Sequence, residues 1–204
     1  MQDLDIRGAG NLLGAEQSGF IMDMGFETYQ KILSEAMEEL GVATGLSTRQ
    51  VREAFVEDCT IETDQPALIP DDYINISSEK IRIYKQLDSM TGDKEIDRLA
   101  VQMEDRFGPL PKEVSNLFYV LKIRNKGAQM GFEKIIIKNG MQIMFFVNNP
   151  MSGYYKSGLF AGILDRVNEM QTQFKFNQDN GKLRIVTRGV DSLQKALEIL
   201  KRLS

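Results

Sequence analysis

Apolar residues recur at helical spacing along much of this chain. Tyr29, Ile32, Leu33, Ala36, Met37 and Leu40 form one stripe and predict a helix over Thr28–Leu40, stopped by Gly41. Ile81, Tyr84, Leu87 and Met90 predict a second helix, with Ser78 placed to cap it. Ile96, Leu99, Ala100 and Met103 predict a third, ended by Phe107-Gly108-Pro109. Pro111 suits the first turn of a fourth, because its missing N–H would be unsatisfied there anyway. That helix carries Val114, Leu117, Phe118, Leu121 and Ile123 and runs to about Gln129. A fifth is expected near Leu159–Met170. A last one carries Leu193, Leu197, Ile199, Leu200 and Leu203, with Asp191 or Ser192 at its start.

Elsewhere the pattern alternates or becomes rich in β-branched and aromatic residues. Cys59–Thr63 is a short strand candidate. Glu133–Lys138 and Met141–Phe146 flank Asn139-Gly140, the pair that a type I′ hairpin turn demands because both central residues need φ > 0. Thr172–Phe176 and Leu183–Thr187 predict a second hairpin across Asp179-Asn180-Gly181. The fold class expected is α+β. An N-terminal helical hairpin and loop tail leads to a helical segment, then to a β-β-α-β-β-α unit with an antiparallel sheet covered by helices.

Gly8, Gly10, Gly14, Gly19 and Gly25 break any helical pattern in the first 25 residues. Leu12, Leu13, Phe20, Ile21 and Met22 between them need a neighbour to pack on. Gly41–Arg49 is small and polar and marks the domain boundary. The expected organisation is residues 1–45, a linker over 46–58, and a domain over 59–204.

Composition narrows the chemistry. The 204 residues include no His and one Cys, which excludes a Ser-His-Asp triad, a Cys-His dyad and a His-based zinc site. Cys59 reads as a small buried hydrophobe. The longest apolar runs, such as Ile135-Ile136-Ile137, are too short to span a bilayer, and no signal peptide is evident, so the cytoplasm is the expected location. The net charge of −4 is split unevenly. Residues 1–132 sum to −9 and residues 133–204 to +5. The stretch from Glu35 to Asp64 is the most acidic, and a surface of that sign favours a basic protein partner over nucleic acid.

Few motifs carry chemistry. No GxxxxGK[ST] phosphate loop occurs, so this chain alone is not expected to hydrolyse nucleotide. Gly8, Gly10 and Gly14 follow no strand and open no amphipathic helix, as a dinucleotide turn would require. Asp71-Asp72 and Glu104-Asp105 lack a third metal ligand and read as surface turns, and no metal site is expected. Arg7 and Gln17 are long polar groups embedded in a Gly/Leu-rich stretch. Close-spaced glycines let such a backbone approach another surface tightly, and an Arg there can bond a carboxylate or phosphate in bidentate fashion.

The run DLDIRGAGNLLGAEQSGF resembles the translocation motif that follows the second ATPase lobe in the RecG helicase and in the bacterial transcription-repair coupling factor family. ETYQKILSEAMEEL is similar to the coupling factor rather than to RecG. The segment ALIPDDYI, the helix IRIYKQL and the turn DRFGPLP resemble the C-terminal domain of the coupling factors.

That resemblance implies a superfamily 2 ATPase that translocates on double-stranded DNA, displaces stalled RNA polymerase and recruits excision repair through UvrA. ATP and Mg would belong to ATPase lobes outside this chain, which itself needs no cofactor. Arg7, Gly8, Gly10, Gly14 and Gln17 match the translocation motif, which couples lobe closure to movement along DNA. Residues 59–204 resemble an autoinhibitory domain that docks on the UvrB-like module of the same protein and hides its UvrA-binding surface. Asp105 matches an acidic docking position. Gln102 stands where the family pattern has another acid, and Glu104 supplies one beside it. The alternative reading is an independent DNA- or polymerase-binding adaptor, motivated by the basic C-terminal third with Tyr154, Tyr155 and Lys156 as exposed candidates.

Overall fold

Two consecutive residues with positive φ organise the sheet. The computed structural model describes residues 55–149, 151–179 and 182–204. In it Asn139 and Gly140 stand at φ 53° and 70°, the turn anticipated from their identities. They join β2 (Phe132–Lys138) to β3 (Met141–Phe146). β4 (Phe174–Asp179) and β5 (Lys182–Arg188) form the second hairpin, and β3 pairs antiparallel with β5. β1 (Thr60–Thr63) completes a five-stranded sheet of order β1-β2-β3-β5-β4. β1 lies parallel to β2. Parallel neighbours need a long crossover, and here it consists of α1 (Ser77–Ser89), α2 (Asp93–Phe107) and α3 (Lys112–Gln129). A 3₁₀ turn, α4 (Gly158–Glu169) and α5 (Leu193–Leu203) follow the first and second hairpins in sequence. The chain is therefore α+β with a mostly antiparallel sheet.

The core has two lobes that share α3. Val120 and Ile123 face the sheet, where Phe132, Ile135, Ile137, Met144, Phe146 and Ile185 meet Leu197 and Leu200 of α5 and Ile163 and Val167 of α4. Val114, Leu117, Phe118 and Leu121 face the other way, onto Ile83, Tyr84 and Leu87 of α1 and Ile96, Leu99 and Met103 of α2. A helix clasped from two sides must be apolar around most of its girth, which explains the crowding of apolar residues between Val114 and Ile123. Each such fully buried side chain contributes about 1.5–3 kcal/mol.

Gly127 lets α3 approach the sheet. A Cβ there would stand 2.8 Å from Cys59 Sγ and 2.9 Å from Ile135 Cδ1. Cys59 itself is buried, as its neutral, apolar reading requires.

The structure corrects several local expectations. Ser78 does not cap α1; Ile76 occupies that position without any side-chain cap, and Ser78 lies within the first turn. The buried face of α1 is Lys80, Ile83, Tyr84 and Leu87, while Ile81 and Met90 are half-buried. Ile81 and Met90 still pack against the core from its margin, Ile83 takes a central place, and Lys80 lays its aliphatic stem inside with its ammonium on Asp71. β4 begins at Phe174 rather than Thr172, since residues 171–173 form the turn after α4. Of the two cap candidates for α5, Ser192 accepts the bond from the Lys195 N–H. Phe55 and Val56, in the stretch read as linker, already pack into the sheet core. The expected helix over Thr28–Leu40 lies outside the described residues.

Candidate functional site

Three conspicuous sequence blocks converge on the turn between α2 and α3. Gly108 ends α2 at φ 91°, a conformation that disfavours a side chain. Its N–H donates to the Glu104 carbonyl at 3.0 Å. The Tyr73 hydroxyl, from ALIPDDYI, lies 3.0 Å from the Gly108 carbonyl and 3.1 Å from that of Met103, both of which it can serve as donor. Tyr73 also meets Phe107 edge-on at 5.9 Å. One block further on, the Tyr84 hydroxyl accepts from the Ile69 N–H at 2.9 Å. ALIPDDYI, IRIYKQL and DRFGPLP are thus stapled together by two tyrosines. Of the two, Tyr73 ties the end of α2 to the loop before α1, and Tyr84 anchors that loop.

The end of α2 presents Gln102, Glu104 and Asp105, all exposed. None of the three side chains makes an ion pair or a side-chain hydrogen bond among the described residues. Their neighbours are occupied. Arg106 stands 2.5 Å from Glu79 and stacks 4.9 Å over the Phe107 ring. Glu79 also takes Arg82, and these two guanidinium partners hold its carboxyl below the ordinary range. Asp97, two turns before Asp105, is taken by Lys122 at 2.5 Å. Burial, with the Glu104 charge adding to it, raises the Tyr73 hydroxyl above its usual range, so it remains a proton donor.

Val101 completes this surface, and the helix pattern alone did not bring it forward. It is 66% exposed and lies one turn before Asp105. An apolar residue off the Ile96, Leu99, Ala100 and Met103 stripe was the signal. A lone exposed Val would need no comment, but here it adjoins uncommitted acidic and amide groups on a braced helix.

Other candidates fall elsewhere. Arg7, Gly8, Gly10, Gly14 and Gln17 lie outside the described residues. Asp71 is bound to Lys80. Tyr154 and Tyr155, the expected exposed pair of the adaptor reading, are not exposed. Tyr154 is fully buried and its hydroxyl donates to the Met130 carbonyl at 2.7 Å. Tyr155 is half-buried and donates to the Val147 carbonyl. They sit in an aromatic cluster with Phe146 and Phe160, because Gly131 leaves room for the Tyr154 ring. Lys156 alone of the three remains exposed. Among the described residues no His/Cys/Asp/Glu group could hold a metal, and no helix is long and apolar enough to cross a membrane.

Comparison with known proteins adds family context. The TRCF domain family matches residues 63–157, which include the two tyrosine staples and the α2 surface. The transcription-repair-coupling factor of Bacillus subtilis (strain 168) is 42% identical over 135 residues, covering 66% of this chain and 11% of that protein. The one from Escherichia coli (strain K12) is 34% identical over 138 residues, covering 65% and 11%. The one from Rickettsia typhi (strain ATCC VR-144 / Wilmington) is 32% identical over 190 residues, covering 93% and 16%. This chain thus spans 11–16% of the length of these relatives. Its fold is similar to a crystal structure of the C-terminal domain of a transcription-repair coupling factor. The TM-score is 0.57 at 19% identity, with 72% of this chain and 87% of the other covered. With its fold, its sequence blocks and these relatives in agreement, the chain belongs to the transcription-repair coupling factor family.

Proposed function

We propose that this chain is the regulatory end of a longer, ATP-driven translocase on double-stranded DNA that displaces stalled RNA polymerase and recruits excision repair. ATP and Mg belong to ATPase lobes outside this chain. Residues 1–45 couple nucleotide hydrolysis to movement, with Arg7 and Gln17 exchanging partners as the lobes close. Residues 59–204 dock on the UvrB-like module of the same protein and keep UvrA from it until the motor engages.

The observation that supports docking is the α2 surface. Among the described residues Glu104 and Asp105 make no ion pair, on a helix end tied to Tyr73, with Val101 as an apolar contact beside them. Charges at a rim set specificity and association rate more than affinity. Such a contact suits a lock that has to open.

The test uses the full-length coupling factor. Asp105→Lys combined with Val101→Asp raises UvrA binding in the resting protein, as deletion of residues 59–204 also does. If both leave UvrA binding at its resting level, masking by this domain is refuted. Arg7→Ala or Gln17→Ala leaves ATP hydrolysis intact and abolishes displacement of stalled polymerase. Normal displacement removes that role from the residue.

A further inference from the structure

The second face of the sheet carries a pattern that neither core lobe uses. Cross-strand partners project to the same side, so the register defines rows. One row runs Glu62, Ile136, Ile143, Val186, Lys175 across the five strands. The row above it is Lys138, Met141, Arg188. The row below is Thr60, Lys134, Phe145, Arg184, Asn177. The middle is an aliphatic band, and cations stand on both sides of it. Ile136, Met141, Ile143, Phe145 and Val186 are half-buried and belong to neither core cluster. Glu62, which Lys134 and Lys138 share, and Asp64, which accepts from the Asn139 N–H at the end of β2, are the acidic residues at the β1 edge, so cations still outnumber carboxylates. A shallow hollow between β4 and β5, lined by Lys175, Asn177, Val186 and Arg188, continues the band to the sheet edge.

An apolar band of this extent, rimmed mostly by cations, is the signature of an interaction surface. Its chemistry selects the partner. Nucleic-acid strands are held on sheets by stacking on several aromatic side chains; among the described strand residues of this face there is one, Phe145, and Arg184 covers it at 6.0 Å from the ring centre. Aliphatic side chains between basic rows fit an amphipathic helix with acidic residues beside its apolar stripe.

We propose that this face is the docking site of the chain's own Thr28–Leu40 stretch. That stretch places Tyr29, Ile32, Leu33, Ala36, Met37 and Leu40 on one stripe and carries Glu35, Glu38 and Glu39 against a single Lys31. As a helix of 13 residues it would be about 20 Å long at 1.5 Å per residue. Five strands at about 4.8 Å spacing span about 19 Å, so a helix of that length would match the band from edge to edge. The connection is long enough. The residues between Leu40 and Phe55 can reach about 45 Å when extended, and the chain re-enters the fold just ahead of the edge strand β1. The proposal does not depend on the proposed function. In the longer protein it would make the sheet and the motor competitors for one helix, and so connect the state of the motor to that of the regulatory domain.

The experiment uses the whole 204-residue chain, which has no Trp, so F145W is a clean fluorescence probe of the band. The expected result is blue-shifted emission that moves to the red when Ile32→Asp and Met37→Asp are added, at every protein concentration. Because F145W alone could perturb the sheet, a second arm introduces Cys at Met37 and Ile143 and oxidises with copper phenanthroline. Cys59 is buried and stays out of the reaction. Docking gives a disulfide within one chain, seen as a faster monomer band, and Ile32→Asp suppresses it. Emission untouched by the helix substitutions, together with no intrachain disulfide, overturns the proposal. A disulfide formed between chains, with emission that shifts on dilution, assigns the face to a second copy instead. Tight quenching by a single-stranded oligonucleotide that Ile32→Asp and Met37→Asp do not alter assigns it to nucleic acid.

Discussion

The Tyr73 hydroxyl reaches across 35 residues to the Gly108 carbonyl, at 3.0 Å. This bond sets the exit angle of α2 and thereby the placement of Val101, Glu104 and Asp105. It also ties ALIPDDYI to DRFGPLP, two blocks that lie apart in sequence. The Gly108 carbonyl lies just past the last helical turn, where no intrahelical donor reaches it, and the Tyr73 hydroxyl supplies one.

Tyr73→Phe removes that donor while keeping the ring against Phe107. The expected loss is about 1 kcal/mol, read as a lower urea midpoint with an unchanged slope. In the full-length protein the same change loosens the docking surface and raises UvrA binding without touching any acidic residue. Unchanged binding in a variant with the expected stability loss would separate the brace from the lock.

Gly127→Ala and Gly131→Ala both destabilise, for different reasons. At Gly127 the new methyl meets Cys59 and Ile135, and overpacking of this kind costs about 1–3 kcal/mol. At Gly131 it meets the Tyr154 ring and also sits at φ 80°, so the loss is larger. A Gly127→Ala, Cys59→Ala double variant recovers part of the first loss, because one of the two clashing groups is gone. Denaturant titration of the four proteins checks this coupling.

Arg124 binds Asp58 through two nitrogens, at 2.5 and 3.0 Å, and Asp88 at 2.9 Å. It joins the approach to β1, the end of α1 and the middle of α3. Arg124→Met keeps the stem and leaves two carboxylates facing each other without their cation. We expect a loss of about 2 kcal/mol, below that of a fully buried pair because both carboxylates are partly exposed. Arg124→Lys recovers little, since a point charge cannot reproduce the fork.

Stability falls at alkaline pH. Burial, then the Asp58 charge, pushes the Cys59 thiol above its ordinary value of 9.0, with Arg124 opposing. Burial raises the Tyr84 and Tyr154 hydroxyls above 10.0 in the same direction. These groups are neutral in both states below pH 9, where their contribution is complete. Above it the unfolded chain releases protons that the folded chain retains, so the folded state loses ground as pH rises. Denaturant midpoints between pH 7 and 11 should therefore decline, and Cys59→Ala should flatten the first part of that decline. A thiol reagent should label Cys59 only on unfolding.

Local chemistry was legible without coordinates. Asn139-Gly140 requires its turn, the Val114–Ile123 pattern requires a helix, and Leu193–Leu203 requires an apolar stripe, because each depends on neighbours within a few residues. Family membership was legible from the same kind of short, ordered blocks. What depended on distant partners was not. Nothing near Lys80 announces that it will be buried with Asp71 as its partner. Tyr154 and Tyr155 read as exposed because their pattern is polar and glycine-rich, yet the space beside Gly131 admits a ring and Met130 offers it a carbonyl. The pairing of β1 with β2 joins residues more than 70 apart, and the basic rows on the open sheet face need β3 and β5, such as Met141 and Arg188, to fall into register. Sequence therefore determined the elements and the family, through interactions of short range. Tertiary structure decided which side chains are consumed by the fold and which, like Asp105 and Glu104, stay exposed and unpaired among the described residues, because that depends on partners distant in sequence.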